Sequence, residues 1–346
     1  MYLPTEIPQP TFSHSTPDAT ASSSTHYPGT TGSRVQAPSR RELHTPLTSS
    51  SRNTWKRKLS NFQLRVLGMV APQTAARRGI EAFCTPAPDT IAASAFDDAG
   101  AHLLMLKVDR HDLATYTWGD PARQPYVLLS HGWCGHSLQH LEWVRSLRDA
   151  GYAVVAFDQQ AHGRSDGCKA TLPDFVCNLL AVGWRHGRAA AVIGHGLGGT
   201  AAALALKHGL EADRAILIAA QADPEEAIAR FTDALGLAAV VRRRMIVLLE
   251  TETGVSMDDL QAHRTVPHLG RPALLVHDLE DREVPWSDSE RYARLWPHSR
   301  LLSTCGLGHH DITRDARVIS ASIEFLAGGT VGERVVSSPN LRYGLA

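Results

Sequence analysis

The sequence predicts an α/β fold built on a doubly wound, mostly parallel sheet. Apolar runs of strand length recur at residues 126–131, 152–157, 189–195, 214–220, 273–277 and 299–305. Stretches with apolar residues at helical spacing separate them, as at Leu138, Leu141, Val144 and Leu147. The runs are continuously apolar rather than alternating, which marks strands buried on both faces, and helices on both sides of a parallel sheet supply that burial.

The elements before and after follow the same logic. Residues 101–108 and 113–118 are short strand candidates, and the polar 109–112 between them predicts a hairpin. Helices are expected at 172–184, from the end of the 189–195 run to about His208, at 287–295, and through Ile319, Ile323 and Leu326. Between 221 and 270 the alternation pauses in helical, mixed-polarity sequence, which predicts a small helical cap inserted after a strand end.

With 346 residues the chain has length enough for a large core, and 43% hydrophobic and 20% charged residues are ordinary globular values. A formal net charge of zero gives no global signal for nucleic acid as a partner. Five scattered cysteines (Cys84, Cys134, Cys168, Cys177, Cys305) fit neither a disulfide framework nor a paired zinc site, so reduced thiols and a cytoplasmic location are expected. The apolar stretch 235–249 is interrupted by Arg242, Arg243 and Arg244, which excludes stable membrane insertion there.

Residues 1–54 are rich in Ser, Thr and Pro and poor in aliphatic side chains, which predicts a disordered tail; such a composition also suits an organellar transit peptide. Residues 55–84 carry Leu59, Phe62, Val66 and Val70 at helical spacing, with Lys56, Arg57, Lys58 and Arg65 beside them. This basic amphipathic helix, broken at Pro72, would lie on a membrane surface or dock against the following domain. That domain spans 89–328, with the cap at 221–270, and 329–346 read as a C-terminal tail.

The stretch 189–205, AAAVIGHGLGGTAAALA, is an apolar run, then Gly194-His195-Gly196-Leu197-Gly198-Gly199, then an Ala-rich helix. A strand, a sharp turn and a tightly packed helix form the context in which G-x-S-x-G exposes a nucleophilic serine, but here the central residue is Gly196. The phosphate-loop alternative lacks the Lys-Ser/Thr that must follow. Four further strand ends carry polar sequence: Ser130-His131-Gly132-Trp133, the DQQAHGRSDG loop opened by Asp158, DLEDREVP from Asp278, and GLGHH ending at His309 and His310. The chain order elbow, acid, histidine is that of an α/β-hydrolase triad.

With HGW, AHGRS, GHxLGG, DxxDRxVP and GLGH in this order, the chain from about Leu59 to Leu326 resembles a bacterial-type α/β-hydrolase of the AB hydrolase-1 kind. The resemblance implies the α/β-hydrolase fold and carboxylic-ester-type serine hydrolysis without cofactor or metal, on a small apolar or ester-like ligand held under the cap. It implies that Asp281 orients His309, that His309 is the general base, and that the Trp133 and Leu197 backbone N–H groups form the oxyanion hole. His131, Gly132 and His195 would support them. The departure is Gly196, at the position of the missing nucleophile.

Rival assignments come from the residues themselves. Asp278 is a second candidate acid and His310 a second candidate base. Asp158 and His162 are expected to hold a loop rather than to react. His131, His136 and His140 do not share one helical face, and no metal motif accompanies them. Cys134 sits beside the HGW loop as an alternative nucleophile or, more simply, a packed thiol. Glycine fits the elbow turn without a Cβ penalty, so the fold survives the change while the acyl-enzyme route does not. Three readings follow: a non-catalytic ligand- or protein-binding member of the family, direct attack by water with His309 as general base, and a serine exchanged for glycine to trap a substrate.

Overall fold

The computed structural model describes residues 63–87 and 98–335. The expectations for residues 1–54 lie outside the described residues, as do those for Trp55 to Phe62 and for 336–346. The strands are β1 (His102–Val108), β2 (His111–Trp118), β3 (Tyr126–Ser130), β4 (Ala153–Phe157), β5 (Ala189–His195), β6 (Ala212–Ile218), β7 (Ala273–Asp278) and β8 (Ser299–Thr304). They form one sheet in the order β1-β2-β4-β3-β5-β6-β7-β8. Strands β3 to β8 run parallel, while the β1–β2 hairpin joins antiparallel through β2 to β4.

Strand limits differ from the sequence expectation by one or two residues, most at β2 and β6. Strand β2 begins at His111, because Asp109 turns at φ +51° and Arg110 completes a two-residue connection. Strand β6 stops at Ile218 rather than Ala220, since Ala219 takes φ +49° and leaves the extended region.

Alternate residues of the buried strands feed two cores. On one face Tyr126, Leu128 and Val155 pack with Phe175, Leu179 and Leu204 from helices α3 (Leu172–His186) and α4 (Leu197–Lys207). On the other, Val127, Leu129 and Val154 meet Trp143 and Phe325 from α2 (Leu141–Asp149) and α10 (Ala316–Leu326). Burial of a Val, Leu or Phe side chain is worth roughly 1.5–3 kcal/mol, so each face anchors its own helical layer. Helix α3 starts on a capping box, in which Thr171 accepts from the Asp174 N–H and Asp174 accepts from the Thr171 N–H.

Between β6 and β7 lie α5 (Pro224–Ala234), α6 (Ala239–Thr253) and the single turn α7 (Ala262–Thr265). Asp223 caps α5 by accepting from the Glu225 N–H, and α6 ends at Gly254 in the left-handed region. Residues 63–70 are helical, Ala71 breaks the helix, and Pro72 opens α1 (Pro72–Phe83) at its first turn. Ala75, Ala76, Gly79 and Ile80 form its buried face. A Cβ on Gly79 would stand 2.8 Å from the Met245 sulfur, so this glycine lets α1 settle onto α6. Helix α8 (Trp286–Leu295) follows β7, and the short α9 (Gly308–Asp311) follows β8. Beyond Gly328, where a tail is expected, the chain returns to β8: Leu301 bridges Glu333, and Arg300 donates to the Gly332 carbonyl.

Candidate functional site

Parallel strands all end on one side of the sheet, and the loops there converge, which is where open α/β sheets place ligands. Strand β5 ends at His195 and α4 begins at Leu197, leaving Gly196 alone to make the turn. Its backbone takes φ +51° and ψ −121°, and its N–H donates to the Ile218 carbonyl at 2.9 Å. A side-chain-bearing residue is strained in that conformation and glycine is not. Gly198 answers a second demand, since a Cβ there would lie 2.6 Å from the Ser130 carbonyl oxygen and collide with that of His131.

His309 comes from the first turn after β8, and Asp281 from the loop after β7. The His309 Nδ1–H donates to Asp281 Oδ2 at 2.7 Å, which leaves the lone pair on Nε2, with Glu283 Oε2 4.0 Å away. That nitrogen faces the elbow: a Cβ placed on Gly196 would stand 3.3 Å from it. The Asp281 side chain is fully buried. Burial pushes its carboxyl up, but hydrogen bonds from His277, His309 and the Val284 N–H outweigh burial and hold it far below the usual carboxylate range. Its other oxygen accepts from the Glu283 and Val284 N–H groups at 2.8 and 2.9 Å. The acid is thereby fixed as an anion.

The rivals are engaged elsewhere. Asp278 accepts from the Thr304 hydroxyl at 2.7 Å and from the Leu307 N–H at 3.0 Å, a loop-holding role. His310 points outward and pairs with Glu283 at 2.8 Å. Asp158 accepts from the Tyr116 hydroxyl and from the Ser137 and Arg164 N–H groups, tying three segments behind the site.

The loop 131–134 is held by two neutral histidines. His131 Nε2 accepts from the Gln159 N–H at 2.9 Å, so its proton sits on Nδ1 and is donated to the Gly132 carbonyl at 2.8 Å. His162 Nε2 accepts from the Cys134 N–H, and its Nδ1–H is donated to the Gln160 carbonyl. Burial lowers the pKa of both, which keeps these acceptors unprotonated. His195, also held neutral by burial, donates its Nε2–H to the His309 carbonyl at 2.9 Å and lies against the His309 ring. Cys134 is exposed rather than packed: at φ +56° it stands on the cavity wall, and its Sγ accepts from the Ala87 N–H at 3.4 Å. His136 and His140 are drawn toward neutrality by burial; among the described residues no three His, Cys, Asp or Glu side chains are placed to share a metal ion.

A cavity of about 480 Å³ opens beside Gly196, Trp133 and His309. That lies within the ~300–1,000 Å³ of small-molecule sites. Phe83, Ile228, Phe231, Leu249, Met257 and Leu260 make its wall predominantly apolar. Two contributors are not evident from motifs. Phe83 arrives from α1, outside the domain bounds read from sequence; its place at the end of that helix's apolar face is the only signal. His277 supports Asp281 from inside β7, with its Nε2–H shared between the Val284 carbonyl at 3.0 Å and Asp281 at 3.4 Å. It occurs one residue before a candidate acid, in a run otherwise apolar.

The family model described as "Serine aminopeptidase, S33" matches residues 121–269, which covers β3 through the cap and stops before Asp281 and His309. Among solved structures, Est1E from Butyrivibrio proteoclasticus is similar at 22% identity and a TM-score of 0.52, over 66% of this chain and 98% of that one. A CIB-like hydrolase from Thermoplasma acidophilum is similar at 18% identity and a TM-score of 0.50, over 66% and 99%. VinJ is similar at 15% identity and a TM-score of 0.52, over 67% and 99%. No curated protein sequence matches the chain. At these identities the structures speak to fold, and with the sheet order they show that the chain adopts the α/β-hydrolase fold, within which residues 121–269 match the serine aminopeptidase family model.

Proposed function

We propose that this protein hydrolyses carboxylic esters of small apolar groups by direct attack of water, with His309 as general base and without a covalent intermediate. The observation that carries the proposal is the aim of His309 Nε2 at Gly196, with Nδ1–H held by a buried, ionised Asp281. A base so oriented is useful only to a proton donor standing where a serine hydroxyl would be, and with glycine there a water molecule is the donor that fits.

In this reading the ester carbonyl lies between Gly196 and the loop 131–134. Water oxygen attacks the carbonyl carbon while its proton passes to His309 Nε2. The Trp133 and Leu197 N–H groups receive the developing oxyanion, a contribution of ~3–4 kcal/mol per donor in template systems. His309 then returns the proton to the departing alkoxide, giving acid and alcohol. Triads stripped of serine still retain ~10³–10⁴-fold over water from the oxyanion hole and binding, so turnover is slow but measurable.

Gly196 itself favours a second reading, a receptor that binds the same ligands without turning them over. Steady release of p-nitrophenol from a short-chain ester, abolished by His309→Ala, supports the hydrolytic reading. Thermal stabilisation by the ester with no release above the buffer rate supports the receptor. An equal rate in the variant removes His309 from the mechanism.

A further inference from the structure

Helices 63–70 and α1 lie across α6 with one face buried and the other uncovered among the described residues. The uncovered face carries large apolar side chains: Met69 and Val70 are each 76% exposed, Val247 59% and Val66 41%. A shallow groove lined by Gln73, Val240, Arg243, Arg244, Val247 and Leu248 runs between α1 and α6 on this side. Arg243 and Arg244 line it, and Arg65, Arg77 and Arg78 lie on the two helices packed against α6; all five are exposed. Among the described residues no carboxylate lies within ion-pair distance of these five. Of the nearby acids, Glu81 pairs with Lys169, Asp233 with Arg242, and Glu250 accepts from the Met257 N–H, while Glu252 stands at the C-terminal end of α6, beyond the groove residues. Monomeric soluble surfaces carry single exposed apolar residues freely, but a cluster rimmed by uncompensated cations marks an interaction site.

We infer that this face is a peripheral docking surface for an anionic lipid bilayer. Methionine and valine side chains between arginines suit the boundary of acyl chains and phosphate headgroups. A second copy of the chain fits less well, since a twofold contact would set the same arginines against one another. Nucleic acid fits less well too, because an aliphatic patch offers nothing for bases to stack on. No helix among the described residues is long and apolar enough to cross a membrane, so the contact is superficial. Leu249 and Phe83 on the inner sides of α6 and α1 line the cavity, so the docked face is the cavity's outer wall. The docking itself does not depend on the hydrolytic reading.

The test is sedimentation of the full chain with vesicles of phosphatidylcholine alone and of phosphatidylcholine mixed with phosphatidylserine. Binding to the mixed vesicles that weakens with added salt is expected, with little binding to the neutral ones. Each basic residue near such a surface contributes on the order of fivefold in partitioning, so Arg243→Gln with Arg244→Gln lowers it by roughly 25-fold. Arg77→Gln with Arg78→Gln gives a similar loss, and serves alone if the first pair fails to fold. Met69→Ser with Val70→Ser lowers the part of the binding that survives high salt. No binding to the mixed vesicles overturns the inference. So does binding unchanged in both arginine pairs, and so does a dimer that buries this face and leaves vesicles unbound.

Discussion

Gly196→Ser bears most directly on whether the elbow is a catalytic position. The added Cβ would stand 3.3 Å from His309 Nε2, 3.6 Å from its Cε1 and 3.9 Å from the Gly132 Cα. Only the first of these is tight, and a few tenths of an ångström of movement by the His309 ring relieves it. The serine oxygen, one bond further out, then lies within reach of Nε2. The backbone imposes the main cost, because φ +51° and ψ −121° are strained for any residue with a Cβ, at ~1–3 kcal/mol. At about 2–4 °C per kcal/mol for a domain of this size, the melting temperature falls by roughly 2–12 °C. Against that loss, restoring a serine gains up to ~10⁶-fold in kcat, the factor its removal costs in a template triad. The assays are a thermal melt, labelling by a fluorophosphonate and release of p-nitrophenol from a short-chain ester. A variant that melts as expected but stays unlabelled, with turnover no faster than the parent, would refute the assignment of Gly196, His309 and Asp281 to one site.

Asp281→Asn frees the His309 ring to take the wrong tautomer, and ester turnover is expected to fall by up to ~10⁴-fold, read from initial rates. Gly198→Ala pushes a methyl group into the Ser130 and His131 carbonyls, both backbone atoms that cannot swing away, and is expected to yield little folded protein in a solubility and circular-dichroism assay. Asp288 is buried with Oδ1 lacking a hydrogen-bond partner among the described residues, and burial pushes its carboxyl up from 3.8 to about 6. The unfolded chain releases this proton near 3.8 and the folded chain near 6, so folding takes up a proton between these values and stability falls as pH rises through that window. Asp288→Asn is therefore expected to raise stability at neutral pH by ~1–3 kcal/mol and to change it little below the window, as measured by urea unfolding at both pH values. An unchanged difference across the window would show that Asp288 does not titrate there.

Much of this architecture is legible in the chain because the signals are local. A strand buried on both faces must be apolar along its length, as 126–131 and 152–157 are, and a turn that excludes Cβ atoms must carry glycine, as 194–199 does. The order of loops after strands then orders the candidate residues. What sequence leaves open is contact between distant segments. Asp278 ends β7 and Asp281 follows three positions later in the loop, and only the fold decides that His309 bonds the second. Phe83 reaches the cavity because α1 lies on α6, and neither helix carries a motif that says so. Cys134 lies exposed on the cavity wall at a backbone angle that residue type does not reveal.

The most direct test of the central claim is the first turnover of a p-nitrophenyl ester, followed by stopped flow with intact mass recorded alongside. Water attack assisted by His309 predicts linear release from the start, no mass added to the protein, and loss of that release in His309→Ala. A burst with an acyl group on the protein, or an undiminished rate in the variant, contradicts it.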